Sequence, residues 1–255
     1  MVSSTASDAW TLNLPLTSIK LPTDQPRQYF DPVKISALAE SIKEHGVLEP
    51  IIVRPLDQDR YELVAGERRF RASQEAGLSS IPSSIRDLSQ SQAQKIALVE
   101  NLQREDLNPV EEVEGILHLL GIELQDLTQT DWTPKLVISL LYRMQNEAKG
   151  KVTHKVMGSA KAEVMEQTLS SLGMSWQSFI TNRLPVLKWP DDVLSQTKIG
   201  AIAFENAKVI SRIKDDKARR KLLKQAIIQS LSISDIKKRI KNHQAKVPFH
   251  PSGKK

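Results

Sequence analysis

The chain has 255 residues, 26% of which are charged, and it contains no cysteine. The lack of cysteine excludes disulfides, thiolate metal sites and thiol chemistry, and it fits a cytoplasmic protein. No apolar run approaches the roughly 18 residues of a membrane span, and no basic segment followed by an apolar run indicates a secretory signal. We therefore expect a cytoplasmic protein of one to three domains that does not associate with membranes.

The net charge of +6 is unevenly distributed along the chain. Met1–His118 carries 12 Lys and Arg against 18 Asp and Glu, a balance of −6. Leu119–Lys255 carries 24 against 12, a balance of +12. A basic half joined to an acidic half favours nucleic-acid binding by the basic half. The alternative is a lysine-rich surface that is merely solvated.

The first half of the sequence predicts mixed helices and strands. Asp31-Pro32 combines an N-cap residue with proline at the first helical position, and Gly46 closes the helix. Gly66 separates a β-type run from a helix that ends at Gly77. The predicted elements are, in order, a helix over 31–46, strands over 51–53 and 61–64, a helix over 66–77, a strand near 84–86 and a helix from about residue 89.

From Asn108 onward the pattern predicts helices only. Asn108 is a cap residue with Glu111 three positions later, and Gly121 is expected to end this helix. The later helices are expected over 133–144, 159–172, 175–184, 203–213, 216–229 and 234–242. Gly150–Gly158 is basic and lacks periodicity, which is typical of a loop, and the tail from Lys246 predicts disorder.

A glycine and three arginines lie where a strand turns into a helix, in Gly66-Glu67-Arg68-Arg69-Phe70-Arg71-Ala72. Glycine allows the backbone to approach a ligand closely, and a helix start presents unpaired N–H groups to an anion. At about 100° per residue, the three arginines cannot share one face, so one packs its stem while another reaches a phosphate. The alternative is a solvated basic helix.

Oxygen-bearing side chains end the helix that begins near residue 89. Glu100 and Asn101 offer hard ligands that could hold Mg²⁺ beside a triphosphate, and Arg104 could pair with the phosphates. Together with the glycine–arginine segment, they make a nucleotide site the leading hypothesis. The alternative is a helix–loop–helix corner in which Glu105 and Asp106 lie near the positive end of the next helix.

Two predicted helices joined by a turn at Gly173-Met174 form a helix-turn-helix pattern, in which the second helix enters the major groove. The apolar residues expected to pack the second helix are Trp176, Phe179, Ile180 and Leu184. The polar residues expected to contact DNA are Ser175, Gln177, Ser178, Thr181, Asn182, Arg183 and Lys188. Small helical bundles contain similar turns, so a purely structural helix pair is the alternative.

Four segments closely resemble the ParB family of DNA-partition proteins in sequence, order and separation: Gln25-Pro26-Arg27, 46–54, 66–72 and 100–109. The resemblance implies an α+β N-terminal domain with a fold similar to sulfiredoxin, followed by an all-α helix-turn-helix DNA-binding domain, which residues 172–194 resemble. The expected organisation is a flexible tail at 1–13, the nucleotide-binding domain at 14–120, the helical domain at 121–245 and a disordered tail at 246–255.

The family resemblance also implies a function. It implies a protein that binds CTP with Mg²⁺, closes into a clamp on double-stranded DNA at a centromere-like site and slides away, with slow CTP hydrolysis resetting the clamp. The residues that it places at the nucleotide are Gly66, Arg68 and Arg69 around the triphosphate, Arg104 on a phosphate, Glu100 and Asn101 at the metal, and Gln25, Arg27 and Glu67 near the phosphates. Gln25 and Glu67 are the candidates for assisting hydrolysis.

Three features depart from the family pattern. Between Gly121 and Ser159 the chain is longer than expected before the helix-turn-helix. The sequence ends soon after Asn242, which leaves no room for the family's separate dimerisation domain, so self-association would depend on nucleotide or DNA. Met1–Asn13 contains no arginine, although a basic N-terminal segment often serves contact with a ParA-like ATPase, and this weakens the case for such a partner.

Three functions stay open at this point. The first is a CTP-switched, sequence-specific partition protein. The second is a plasmid- or phage-type transcriptional regulator that uses the helix-turn-helix without a nucleotide switch. The third is a ParB-like nuclease, for which Glu100, Glu105 and Asp106 are the clustered metal candidates and no attacking base is evident.

Overall fold

A computed structural model describes residues 10–22, 31–104, 107–151 and 155–245 of the protein. The chain divides into two compact units. Unit 1 comprises Met1–Glu105 and Gln125–Asp131, and unit 2 comprises Asp106–Leu124 and Trp132–Lys255. Within the described ranges, no helix is both long enough and apolar enough to cross a membrane.

Unit 1 is an α+β fold built on one five-stranded sheet. Its elements are β1 (Trp10–Pro15), a 3-10 turn (Leu16–Ser18), β2 (Ile19–Lys20), α1 (Pro32–His45), β3 (Ile51–Pro55), β4 (Tyr61–Ala65), α2 (Glu67–Glu75), β5 (Ser80–Ile85) and α3 (Gln90–Leu102). The strand order is β1-β5-β3-β4-β2, with antiparallel β1–β5 and β3–β4 pairs and parallel β3–β5 and β2–β4 pairs. The fold class predicted for this part of the chain is confirmed.

Local sequence signals set the helix ends in unit 1. The Asp31 carboxylate accepts a hydrogen bond from the Val33 N–H at 3.0 Å, and Gly46, with φ 73°, ends α1. Ser89 and Gln92 form a capping box at the start of α3. The helices predicted at 31–46, 66–77 and from about residue 89 and the strands predicted at 51–53 and 61–64 are present, whereas the strand predicted near 84–86 begins four residues earlier, as β5 (Ser80–Ile85).

Two groups of buried apolar side chains hold unit 1 together. The larger group fills the space beside the sheet and consists of Leu14, Leu16, Ile19, Ile51, Val53, Leu63, Phe70 and Ile81. The smaller group joins α1 to α2 through Ile35, Ala39, Ile42 and Ala72. Since α2 contributes Phe70 to the first group and Ala72 to the second, it is anchored on two sides, and its first turn is held in a fixed place.

Residues 10–13, which the sequence analysis placed in a flexible tail, are part of strand β1. They pair with β5 in an antiparallel register from Trp10 opposite Ile85 to Asn13 opposite Pro82. The strand lies at the edge of the sheet, and Leu12 is exposed while Leu14 is buried. Trp10, Leu12 and Leu14 alternate with Thr11 and Asn13, so the sequence does carry the pattern of a strand here, and the prediction of a flexible tail was wrong for these residues.

Unit 2 is entirely helical within its described residues. Its elements are α4 (Pro109–Thr128, whose last turn from Gln125 belongs to unit 1), α5 (Pro134–Ala148), α6 (Ala160–Ser171), α7 (Trp176–Ser178), a π-helical turn (Phe179–Arg183), a 3-10 turn (Leu184–Lys188), α8 (Asp191–Lys198), α9 (Phe204–Ile210), α10 (Asp216–Ile228) and α11 (Ile233–Ala245). Its last four helices share a core that contains Val193, Ile210, Leu222, Leu223, Ala226 and Ile236. The predicted all-α character is confirmed, whereas α8 was not predicted.

The prediction that Gly121 ends the fourth helix is wrong, because α4 continues to Thr128. Gly121 is buried in the middle of the helix, and an added Cβ would lie 2.8 Å from the carbonyl oxygen of Trp132. The glycine therefore permits a close approach of the returning chain instead of ending the helix. The expected domain boundary at residue 120 also differs from the division at Glu105 and Asp106.

Candidate nucleotide site and nucleic-acid interface

Gly66 forms the junction between β4 and α2 and has the left-handed φ of 95°. An added Cβ would lie 2.9 Å from Cγ2 of Ile51. Both the backbone conformation and the lack of space therefore require glycine at this position. The first N–H groups of α2, which have no acceptor within the helix, follow directly and give this end of the helix a partial positive charge.

The two arginines after Gly66 have different surroundings. Arg69 Nη1 donates to the carbonyl oxygens of Glu49 and Pro50, both at 2.8 Å, and lies 3.3 Å from the Glu49 carboxylate. Arg68 is exposed and makes no hydrogen bond or ion pair with the rest of the described chain. Arg69 thus fixes the loop before β3, while Arg68 is available to an anionic ligand.

Of the two candidates for assisting hydrolysis, only Glu67 can be placed. Its side chain is 11% exposed, and Oε1 accepts hydrogen bonds from Nε and Nη2 of Arg71, both at 2.7 Å. The carboxylate is therefore oriented by an arginine one turn further along α2. Gln25 and Arg27 lie outside the described residues.

The end of α3 brings together the other predicted nucleotide-binding residues. Helix α3 packs against β4, the strand that leads into Gly66. Glu100 is exposed, and Oδ1 of Asn101 accepts a hydrogen bond from Nη1 of Arg104 at 3.0 Å. The three residues are neighbours at one helix end, as predicted, and Arg104 orients the amide of Asn101.

The side chains at the end of α3 fit a metal ion that is shared with a nucleotide better than a metal ion that is held by protein side chains alone. In the described part of the chain, no group of three or more His, Cys, Asp or Glu side chains could hold a metal ion. Glu100 and Asn101 supply two oxygen-bearing side chains at a helix C-terminus, where the partial negative charge favours a cation. Mg²⁺ is commonly held by one or two such groups together with phosphate oxygens.

The predicted helix-turn-helix is present in unit 2. Helix α6 ends at a turn in which Gly173 has φ 73° and Met174 N–H donates to the Leu169 carbonyl at 3.0 Å. The Ser175 hydroxyl then accepts from the Ser178 N–H at 3.1 Å and caps the second helix. The π-helical turn from Phe179 to Arg183 follows without interruption.

The second helix has one buried side and one polar side. Its buried residues are Trp176, Phe179, Ile180 and Leu184, as the sequence predicted. Its exposed polar residues are Ser175, Gln177, Thr181 and Asn182, with Ser178 partly buried. The Asn182 amide donates to the Ser178 hydroxyl at 3.2 Å, which restricts its orientation. This arrangement suits a recognition helix, because amide and hydroxyl groups read base edges.

Arg183 and Lys188 are not part of that polar side. Arg183 Nε donates to the Glu112 carboxylate of α4 at 2.8 Å, and Lys188 Nζ lies 4.8 Å from the centroid of the Tyr142 ring. Lys188 is exposed and free to meet a phosphate, but Arg183 is occupied within the unit. The sequence indicates this position of Arg183, because it follows Phe179 by four positions and Trp176 by seven and so shares the face of these buried residues.

Glu147 organises the segment before the helix-turn-helix. Its Oε2 accepts hydrogen bonds from the N–H groups of Met157, at 2.9 Å, and Val156. Both bonds lower the pKa of the Glu147 carboxyl below its ordinary value of 4.5, and the bond from Met157 has the larger effect. The sequence predicted only a loop in this stretch, because the amide donors and the carboxylate lie nine and ten positions apart.

Two family models match the chain in the order of its two units. The family described as ParB N-terminal domain matches residues 2–102, and the family described as ParB HTH domain matches residues 154–245. Together they cover more than half of the chain.

Curated relatives carry partition or nucleoid-occlusion names. The probable plasmid-partitioning protein ParB of Thermus thermophilus is 41% identical over 231 residues, which cover 90% of this chain and 74% of that protein. The chromosome-partitioning protein ParB of Myxococcus xanthus is 36% identical over 250 residues, covering 98% and 69%. The nucleoid occlusion protein of Geobacillus thermodenitrificans is 34% identical over 228 residues, covering 89% and 67%.

Solved structures of one C-terminally truncated protein from Caulobacter crescentus also match. The chromosome-partitioning protein ParB complexed to the centromeric parS site is 28% identical and covers 88% of this chain and 96% of its own, with a TM-score of 0.49. The same protein complexed with CTP-γ-S is 31% identical and covers 86% and 99%, with a TM-score of 0.36.

Proposed function

Because the chain belongs to the ParB family of DNA-partition proteins, as its sequence segments predicted, we propose that it binds a centromere-like DNA site and closes on it as a CTP-dependent sliding clamp. Its ligands are double-stranded DNA and CTP with Mg²⁺, and its partner in the closed state is a second copy of the chain. The observation that carries the proposal is the presence, in one chain, of the glycine junction before α2 and the helix-turn-helix.

The exposed polar side of the second helix supports sequence-specific DNA binding. Gln177 and Asn182 carry amides that can both donate to and accept from a base edge, and Thr181 adds a hydroxyl beside them. The buried side of the same helix fixes their placement through Trp176 and Phe179. Lys188, oriented by the Tyr142 ring, suits a phosphate contact.

The surroundings of Gly66 support nucleotide binding. The N–H groups at the start of α2 and the exposed guanidinium of Arg68 would bind the triphosphate. Glu100 and Asn101 would hold Mg²⁺, which neutralises phosphate charge when bound. Arg69 acts indirectly, because its bonds to the loop before β3 hold that loop beside the junction.

Slow CTP hydrolysis would reopen the clamp, and Glu67, the first residue of α2, would assist it. Its carboxylate is held by Arg71 through two contacts of 2.7 Å, so it would be fixed in place to orient a water molecule. Gln25 is the other candidate of the sequence analysis.

Equilibrium binding of labelled CTP, with ATP, GTP and UTP as competitors, tests the proposal. The measurement is made in Mg²⁺ with and without a duplex that carries the parS site. We expect binding that only CTP displaces and that strengthens when the duplex is present. Absence of binding by any nucleotide would overturn the nucleotide part of the proposal while leaving DNA binding to be measured separately.

A matched pair of variants assigns the binding to the described site. Arg68→Ala should weaken CTP binding at least tenfold, because it removes a charge-assisted contact worth about 1.5–3 kcal/mol. Arg60→Ala removes an equally exposed arginine from the β3–β4 hairpin and should leave CTP binding unchanged. Equal effects of both variants would show that only the overall charge matters.

A second candidate function is a DNA-binding regulator without a nucleotide switch. It is favoured by one observation, namely that two of the predicted phosphate-binding arginines bond to the chain itself, Arg69 to the loop before β3 and Arg104 to Asn101. In that case parS or another operator would be bound equally well with and without CTP, and no nucleotide would compete.

A further inference from the structure

Helix α10 carries a row of cations on its exposed side. The row consists of Lys217, Arg220, Lys221 and Lys224, all exposed. At about 100° per residue, the four side chains fall within an arc of about 100°. The opposite side of α10 carries Leu222, Leu223 and Ala226, which are buried in the core of the last four helices. The buried side therefore holds the helix in place while the row of cations faces the solvent.

Arg219, between the first two members of this row, has a different role. It is buried, and its guanidinium bonds to Asp192 at 3.0 Å, to Asp216 at 2.8 Å and to the Ile213 carbonyl at 3.2 Å. These bonds also occupy the carboxylates nearest the start of the row. Arg220 makes only a long contact of 3.9 Å with Asp192.

The remaining lysines of the row have no compensating charge in the described part of the chain. Lys217, Lys221 and Lys224 make no hydrogen bond or ion pair through their side chains with any described residue. Other cations of unit 2 are paired, such as Arg183 with Glu112 and Lys198 with Glu114. Like charges three and four positions apart on a helix repel each other, so the row lowers the stability of α10 when nothing binds it.

We propose that this row is a second DNA contact, which binds the phosphate backbone of duplex DNA without regard to sequence. The inference rests on the proposed function, since it assumes that the helix-turn-helix brings DNA to unit 2. From Lys217 to Lys224 the helix rises about 10 Å, a distance over which one strand of duplex DNA presents about three phosphates. If α10 lies along the duplex axis, the row is therefore long enough to face about three phosphates of one strand.

A phosphate contact of this kind has a distinct signature. Each phosphate contact releases counterions, so its loss lowers the slope of log affinity against log salt concentration by about 0.9 and weakens binding to every sequence alike. Loss of a base contact would instead reduce the preference for one site over another. The two effects can be separated in one titration.

The test is a salt titration of DNA binding by the full chain carrying Lys221→Gln and Lys224→Gln. Binding is measured by fluorescence anisotropy on a parS duplex and on an unrelated duplex. We expect the slope to fall by about 1–2 on both duplexes, with the preference for parS unchanged. The control is Lys20→Gln with Lys34→Gln, which removes two exposed lysines from unit 1 and should leave the slope as in the parent.

Thermal unfolding verifies that the variant is folded, and its midpoint should be equal to or above that of the parent because repulsion is relieved. A slope unchanged from the parent, or a fall equal to that of the control, would overturn the inference while the proposed DNA binding stands. Failure of the parent chain to bind either duplex would overturn both the inference and the DNA-binding function on which it rests.

Discussion

The guanidinium of Arg183, on the second helix of the helix-turn-helix, lies 2.8 Å from the carboxylate of Glu112 on α4, 71 positions earlier in the chain. Both side chains are partly buried, with 35% and 27% of their surfaces exposed. The pair joins the recognition helix to the helix that begins unit 2. We therefore expect Arg183 to position the residues that are proposed to read DNA instead of reading DNA itself.

Breaking this pair should affect DNA binding without changing sequence preference. We expect Arg183→Gln and Glu112→Gln each to lower the free energy of unfolding by about 0.5–1 kcal/mol and to weaken binding to all duplexes alike. Gln177→Ala, on the exposed polar side, should instead relax the preference for parS by about 1–3 kcal/mol without loss of stability. Denaturant unfolding and competition between duplexes measure the two effects. If Arg183→Gln changed sequence preference as Gln177→Ala does, the assignment of Arg183 would be wrong.

Arg219 should be a residue that stabilises the fold, in contrast to the exposed cations beside it. Arg219→Met leaves Asp192, Asp216 and the Ile213 carbonyl without their donor, and we expect a loss of about 3 kcal/mol in the free energy of unfolding. Arg220→Gln, at the adjacent exposed position, is the matched control and should leave stability within about 0.5 kcal/mol of the parent. Urea unfolding of the two variants compares them directly. Similar stabilities would contradict the buried position of Arg219.

Gly66→Ala should disturb both folding and nucleotide binding. The substitution combines an unfavourable φ with a Cβ placed 2.9 Å from Ile51 Cγ2, so we expect a loss of about 2–4 kcal/mol in stability. Gly46→Ala is a suitable control, because Gly46 also has a positive φ of 73° but an added Cβ would meet no atom within 4 Å. It should cost about 1 kcal/mol and leave CTP binding intact. Equal losses would mean that space at the junction is unimportant.

Acid should weaken the segment before the helix-turn-helix through Glu147. Because hydrogen bonds from Met157 and Val156 lower the pKa of Glu147 in the folded state below 4.5, its contribution to stability is complete above about pH 4.5. That contribution is lost as the pH falls through the lowered pKa. Glu147→Gln should therefore be less stable than the parent at neutral pH, and the difference should shrink on acidification below pH 4.5.

The matched control for this pH dependence is Glu166→Gln, which alters a partly exposed carboxylate in the middle of α6, away from the positive end of that helix. Its unfolding midpoint should follow that of the parent at every pH. The difference in stability between Glu147→Gln and the parent is compared at about pH 7, which is neutral, and at about pH 3, which is below the ordinary carboxyl pKa. If the difference is the same at both, the charge of Glu147 does not hold the segment.

Much of the fold could be predicted because its signals are local. The caps at Asp31, Ser89 and Thr133 act within three residues of themselves, so they can be read from a short stretch of sequence. Strand β1 was predictable from its alternating apolar residues, whereas the role of the mid-helix Gly121 was not, because its reason lies in a distant partner, the Trp132 carbonyl. These local signals predicted mixed helices and strands followed by helices only, and the family resemblance added the similarity to sulfiredoxin.

The candidate sites were predicted less evenly. The junction at Gly66 and the polar side of the second helix were recognised from residue types and spacing. The roles of Arg69, Arg183 and Arg219 were not, since each bonds to a group that only the tertiary structure brings near. The burial of Arg219 is nevertheless indicated by the sequence. It precedes Leu222 and Leu223 by three and four positions and so lies on the buried side of α10.

Retention of the protein on closed DNA tests the central claim, a CTP-dependent clamp, most directly. The protein is loaded with CTP and Mg²⁺ onto a parS-containing DNA whose two ends are blocked, washed with high salt, and then released by cutting the DNA. We predict that the protein resists the wash only when CTP and parS are both present and that it leaves after cutting. Retention that does not depend on CTP, or complete loss in the wash under all conditions, would contradict the clamp.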